Sequence, residues 1–410
     1  MGMIAHCYAA VVILFALGYY EWTVRKDVLL SLNAAEVVQY YANTLQESFW
    51  PWALLLPAYI LALVVGSFVV PGFDHQGTPV SSEGVDAKGT PLPGKRYTFK
   101  INGFRLFVLL LAGVTLLTIN PDIPINATVL YDHYAFIFFA ANAISFALSF
   151  VLYVKGASNG KTTGNVLKDF WVGTELMPHF GKLNVKFFWL RPSMMLWILI
   201  NLSMLAKHIE LMGHITPRMA LYQAFTMLYV ADYFWFEEYM TSTWDIVAEH
   251  FGFMLVWGDF VFIPFVFSVQ TWFLLENAEP LSTVELIGMI SVFVIGYIVF
   301  RGSNKQKHDY KHNPQGLIWG KKPVVVGRLL ASGWWGLSRH PNYWGDIMLG
   351  IAYSLPCGFG SVLPWVYPIY LTLLLVHRFV RDDERCSQKY KDIWVKYCNT
   401  VPYRIVPYVY

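Results

Sequence analysis

Arg339, His340, Asn342, Tyr343 and Asp346 fall within eight positions of one another, inside the stretch GWWGLSRHPNYWGDIMLG from Gly333 to Gly350. Together they offer a fixed cation, an imidazole, an amide, a phenol and a carboxylate, a set suited to gripping a polar ligand and relaying a proton. Hydrophobic segments flank the stretch on both sides, and a charge at mid-bilayer costs about 2.5–3.5 kcal/mol. A second polar cluster, HRFVRDDERCSQKY from His377 to Tyr390, follows one hydrophobic segment later. Two such clusters around a span line a pocket or meet an aqueous ligand.

The ligand they suit is a phosphorylated one. Lys307 and Lys311 stand four apart in RGSNKQKHDYKHN and share a helical face. Arg378, Arg381 and Arg385 are interleaved with Asp382, Asp383 and Glu384. Guanidinium forks bind phosphate, and a carboxylate fixes an amide or a ribose hydroxyl. That mixture fits a pyridine nucleotide better than a bare polyanion; the competing reading of the basic segment is a charge anchor at the membrane surface. The stretch LYQAFTMLYVADYFWFEEYM adds Asp232, Glu237 and Glu238 beside Tyr229 and Tyr233. Carboxyls buried in apolar surroundings stay protonated at neutral pH and can donate, whereas the plainer reading is helix-to-helix hydrogen bonding. Gly156–Thr162 lacks one residue of a P-loop. His308 and His312 are crowded by Lys307 and Lys311, so no metal site is expected.

The elements that hold these groups are membrane helices. Hydrophobic residues make up 56% of the 410 and charged ones 14%, which places the chain among polytopic membrane proteins. Apolar runs at 4–22, 49–70, 103–119, 130–154, 193–206, 219–240, 251–275, 281–300, 343–356 and 361–376 predict an all-α fold of about ten transmembrane helices. The run at 4–22 has no basic leader or cleavage site and reads as a retained first span. A Gly/Pro-rich polar loop fills 71–102. Of the 30 Lys and Arg, 25 fall on the side of the termini and 4 opposite, which predicts cytoplasmic termini and cytoplasmic polar clusters. The expected organisation is 1–164 as N-terminal helices, 165–300 as an apolar-ligand core and 301–410 as a cofactor-binding half. Cys7, Cys357, Cys386 and Cys398 show no disulfide or zinc spacing and are expected as free thiols.

Several motifs resemble the sterol reductases of the endoplasmic-reticulum type, which saturate carbon–carbon double bonds in the sterol skeleton. Asp169-Phe-Trp-Val-Gly-Thr-Glu175-Leu-Met-Pro178 is similar to that family's DFxxGxELNP element, with Met177 in place of the usual Asn and His179 in place of a usual Arg. LVHRFVRDDERCSQKY (375–390) fits the second signature throughout, and GWWGLSRHPNYWGD, FGFMLVWGD and the ending VPYRIVPYVY also look like the family. The likeness is dense over 165–410. It implies NADPH as cofactor, a sterol drawn from the bilayer as substrate, and no metal, nucleic acid or obligatory protein partner. It places Lys307, Lys311, Leu330, Trp335, His340, Asn342, Arg378, Asp382 and Tyr397 in the cofactor site and Tyr229 and Asp382 in catalysis, with Asp232, Glu237 and Glu238 candidates for the substrate pocket.

The chemistry implied is protonation of the alkene followed by hydride transfer, at a ring bond of carbon 14 or carbon 7. A carbon-24 side-chain reductase is the alternative. RHPNYxG also resembles membrane methyltransferases that use S-adenosylmethionine, but these leave DFWVGTEL and HRFVRDDERC unaccounted for. The implied compartment is the endoplasmic-reticulum membrane in a eukaryote or the inner membrane in a bacterium. The charge asymmetry carries the topology, and tags at Met1 and Tyr410 are expected to be digested by protease added to the cytoplasmic face of sealed vesicles. Protection of either tag would overturn the orientation.

Overall fold

The computed structural model describes residues 34–80, 94–123, 125–277 and 279–410; the expected span at 4–22 and Cys7 lie outside them. The chain divides into two compact units, one of residues 1–215 and 226–276 and the other of 216–225 and 277–410.

The first unit is built around a helix that is buried on nearly every side. Its elements are α1 (Ala34–Val69), the antiparallel hairpin β1 (Phe73–Gln76) and β2 (Thr98–Ile101), α2 (Gly103–Ile119), α3 (Tyr134–Ser158), α4 (Val166–Val172), α5 (Val185–Met212), the later turns of α6 (Pro217–Trp235) and the broken helix α7 (Phe253–Leu274). The central helix is α5. Asn184 opens it by accepting the Phe187 N–H (2.9 Å), and Gly213, at φ 73°, closes it. Met195, Trp197, Ile198 and Ile200 pack at its centre. A π turn at Gly258–Phe262 and Pro264 interrupt α7. Two indoles of α5 serve its backbone: Trp189 donates to the Val256 carbonyl (2.9 Å) and Trp197 to that of Phe267 (3.1 Å).

The DFWVGTEL segment is a structural knot. Asn165 caps α4 by accepting the Lys168 N–H, and Asp169 accepts both the amide and the hydroxyl of Thr163 (2.9 and 2.7 Å). Gly173 sits at φ 100°, and a Cβ there would stand 2.5 Å from the Gly252 amide nitrogen. Only glycine allows both the left-handed backbone and the contact between the two main chains. Glu175 pairs with Lys155 and with Lys161 (2.9 Å). Burial pushes its carboxyl up, but the two ammonium groups outweigh that and hold it below the usual range. Met177 is buried and its sulfur accepts from the Asn184 amide.

Two of the cations that the sequence places on the side of the termini are interior instead. Lys186 is buried and donates to the carbonyls of Leu176, Ile246 and Glu249 (3.2, 2.9 and 2.5 Å). Arg191 forms a two-pronged pair with Glu237, at 2.7 and 3.1 Å, and also reaches Ser67 Oγ and the Lys100 carbonyl. Both belong to α5, where internal partners compensate their desolvation.

In the second unit, α8 (Thr283–His312) starts from a capping box of Ser282 and Glu285. A tight hairpin β3 (Val325–Val326) and β4 (Leu329–Leu330), α9 (Pro341–Ser354), α10 (Val366–Tyr390) and α11 (Asp392–Thr400) follow. Glycines let α8 and α9 cross closely. A Cβ on Gly345 would lie 2.4 Å from the Phe300 nitrogen, and one on Gly296 2.8 Å from Met348 Cβ.

Among the described residues five helices are long and apolar enough to cross a membrane: Tyr134–Ser158, Val185–Met212, Phe253–Leu274, Thr283–Lys311 and Leu363–Tyr390. Several expected spans are shorter. The ninth is α9, whose 14 residues cover about 21 Å of a hydrocarbon layer of about 30 Å. The sixth ends at Trp235, before Glu237 and Glu238, which lie in a 3₁₀ turn. Cys357, Cys386 and Cys398 form no disulfide among the described residues.

The Arg191–Glu237 pair yields a stability test. Removing one partner strands the other in the interior, which costs about 3–5 kcal/mol. Arg191→Met alone is expected to lose most folded protein in fluorescence-detected size exclusion, and Arg191→Met with Glu237→Leu to recover a good part of it.

Candidate active site

The polar clusters meet in the second unit, at the His312 end of α8. Ser303 and Lys307 lie one turn apart on α8 and face Trp335: its indole N–H donates to the Ser303 carbonyl (2.9 Å), and Lys307 Nζ lies 4.3 Å from its ring centroid. Trp334, one residue earlier, turns the other way. Its backbone N–H donates to Gln306 Oε1 (2.8 Å), and its ring packs where Gly302 has no side chain. Gly333, at φ 63°, also lies against the Gln306 amide. The two glycines therefore set which tryptophan faces Lys307.

His340 is the N-cap of α9 and is buried. Its Nε2 lies 3.1 Å from Asp382 Oδ2 on α10, its ring stacks on Tyr343 (4.8 Å), and it meets Phe379 edge-on (5.2 Å, 86°). Burial drives its value below that of an ordinary histidine, with Lys307 and Arg339 adding to the effect and Asp382 opposing it. The imidazole is therefore neutral at pH 7, with Nε2–H donating to Asp382 and Nδ1 left as a buried acceptor without a partner. Asn342 Oδ1 is a second buried acceptor without a partner. Both point to a ligand that brings N–H or O–H donors.

The remaining cofactor candidates lie around this centre in the same unit. Leu330 is buried on β4 and Arg378 is half-buried on α10. Tyr397, on α11, packs at a tilt against Trp394 (5.3 Å, 33°), and burial pushes its hydroxyl up, out of reach of ionisation near neutrality. Lys311 is exposed one turn beyond Lys307. Four contributors escape the sequence reading. Ser303 and Gln306 act through backbone or amide contacts, Phe379 looks like any core aromatic, and Arg404 lies in a tail without periodicity. The available hint was the single arginine among three tyrosines in VPYRIVPYVY.

The other candidates belong to the first unit. Tyr229 lies on α6 with Trp197 edge-on at 6.3 Å. Asp232 is buried. Glu237 is held by Arg191 and accepts the N–H groups of Asn102 and Gly103 (3.2 and 2.9 Å) at the start of α2. Its two carboxylate oxygens are thus taken up by structural partners. Glu238 is half-buried, and its carbonyl accepts from Thr241.

The profile of the ergosterol biosynthesis ERG4/ERG24 family matches residues 5–410. The chain belongs to this sterol reductase family. The match extends through the N-terminal helices, beyond the 165–410 region where motif resemblance is dense. The Delta(14)-sterol reductase of Arabidopsis thaliana is 44% identical over 87% of this chain and 95% of its own length. Delta(14)-sterol reductase TM7SF2 of Mus musculus is 40% identical over 90% and 88%, and the Delta(14)-sterol reductase of Methylotuvimicrobium alcaliphilum 40% over 81% and 79%. As a member of the ERG4/ERG24 family the chain is an oxidoreductase of sterol biosynthesis and a multi-pass membrane protein.

The His340–Asp382 pair has a pH signature. A histidine held below its unfolded value takes up a proton more readily once unfolded. Its contribution to stability is therefore present above the ordinary histidine value, about 6.5, and is lost as pH falls through it. Melting temperature is expected to drop more steeply from pH 7 to 5 in the wild type than in His340→Asn; parallel curves would contradict a neutral His340.

Proposed function

We propose that this chain reduces the carbon-14 double bond of a sterol precursor with NADPH. The relatives' names supply the bond position, and the observation that carries the cofactor is the His340–Asp382 pair beside Lys307 and Trp335. The residues present fit a pyridine nucleotide: Lys307 and Lys311 share one helical face for its phosphates, and the buried acceptors of His340 and Asn342 suit an amide N–H donor. Arg378 adds a guanidinium for phosphate, while Leu330, Trp335 and Tyr397 provide apolar walls.

Bound NADPH supplies the hydride. An isolated or conjugated ring alkene accepts hydride only after protonation gives a tertiary cation, so the protein needs an acid and a cation-tolerant wall. Tyr229 is the proposed acid, its hydroxyl proton going to one alkene carbon. Trp and Tyr faces stabilise the cation on the other carbon by about 2 kcal/mol when desolvated. Asp382 accepts from His340 and so fixes the ring orientation and tautomer. The proposed setting is the endoplasmic-reticulum membrane, or the inner membrane of a bacterium, with the cofactor side facing the cytoplasm.

The deciding experiment incubates purified chain with NADPH and sterols unsaturated at carbon 14, 7 or 24 and identifies products by mass spectrometry. Turnover of the carbon-14 substrate is expected; exclusive turnover of the carbon-7 or carbon-24 substrate would overturn the assignment. Tyr229→Phe removes one oxygen and is expected to lower kcat by about 10²–10⁴-fold while sparing sterol affinity, the range typical of general acid catalysis. If it kept more than about a third of kcat, the acid would lie elsewhere. Lys311→Ala should raise KM for NADPH and leave KM for sterol unchanged.

A further inference from the structure

The last ten residues, Val401–Tyr410, return to the loop that carries His340. The Arg339 N–H donates to the Tyr403 carbonyl and the His340 N–H to that of Arg404, both at 2.9 Å. Arg404 in turn is fixed by Tyr410. Its Nη1 donates to the Tyr410 hydroxyl (2.8 Å), its guanidinium carbon lies 4.9 Å from the Tyr410 ring centroid, and its backbone N–H and that of Ile405 donate to the Tyr410 backbone oxygen (2.8 and 2.9 Å).

The guanidinium has a second contact, the ring of Phe379, at 5.5 Å; that of Arg339 lies 5.3 Å from the same ring. Arg339 is itself tied to Asp383 (2.7 Å) and Cys398 Sγ (3.0 Å). Phe379 is 1% exposed and presents the surface that His340 meets edge-on. Both guanidinium groups lie within cation–π range of this ring and hold it through the ring quadrupole. On its other edge, His340 holds Asp382.

We propose that Arg404 is a positioning residue for the cofactor site, acting through Phe379 and its own backbone carbonyl to fix the orientation of His340. Tyr410 serves as the latch that aims the guanidinium. This inference rests on the reading of the His340–Asp382 region as the NADPH site. Its role is separable from tail docking, because Val401 and Ile405, at 0 and 2% exposed, plug the tail into the core by themselves. Arg404 is on the outer side of the tail and touches no other carboxylate among the described ion pairs.

The test uses the full chain in phospholipid nanodiscs, with NADPH binding followed by fluorescence and sterol KM measured separately. Arg404→Met keeps the length and apolar stem of the side chain and removes the charge. It is expected to weaken NADPH binding about two- to fivefold, the value of one cation–π contact at an exposed site, with sterol KM unchanged. Arg404→Lys should restore part of the affinity. Tyr410→Phe deletes a single half-exposed hydroxyl, folds as the wild type does, and should give a smaller loss in the same direction. Unchanged NADPH affinity in both Arg404→Met and Tyr410→Phe would overturn the proposal, as would an equal loss of sterol and NADPH affinity. A wild-type chain that does not bind NADPH saturably would instead overturn the cofactor reading on which it stands.

Discussion

The contact on which most of the first unit depends is the two-pronged pair of Arg191 and Glu237. Two charges removed from water are tolerated only when each finds several partners, and these two find partners on five segments. Arg191 reaches Ser67 at the end of α1 and the Lys100 carbonyl in β2, while Glu237 accepts the first N–H groups of α2. The pair is thus a junction for α1, β2, α2, α5 and the turn after α6. It also explains why Gly103 is a glycine: a Cβ there would stand 2.4 Å from Glu237 Oε1. The carboxylate that looked from sequence like a substrate-pocket group is occupied with holding helices together.

Glycine plays the corresponding part in the second unit. Gly296 and Gly345 bring α8 and α9 close, Gly302 admits the ring of Trp334, and Gly333 turns the chain between them. Lys307 and Trp335 on one side and His340 on the other are thereby placed by backbone-to-backbone distance. A side chain at any of these glycines would displace these groups relative to one another.

The sequence made legible what depends on composition and local spacing. Hydropathy located the long helices, and the i,i+4 placing of Lys307 and Lys311 on α8 agrees with the helix. Pairings between distant segments were not legible. Nothing in the spacing links His340 to Asp382, 42 residues on, or Arg339 to Asp383, 44 residues on. Buried charge misled in a consistent way: Lys186 and Arg191 read as loop cations because all their compensating partners but the Leu176 carbonyl lie 46 or more residues away. The DFWVGTEL motif, which carries part of the family resemblance, proves structural: Asp169 and Glu175 are consumed in loop construction.

The shortness of α9 carries over to the lipid. A helix of 14 residues leaves about 9 Å of an average hydrocarbon layer unmatched, and mismatch costs a fraction of a kcal/mol per Å. A span as short as α9 is matched only where lipids thin or where water reaches down to the helix N-terminus, here the end that carries His340. Either response draws the aqueous boundary toward the middle of the bilayer. The same mismatch favours the thinner bilayers, which are those with little sterol.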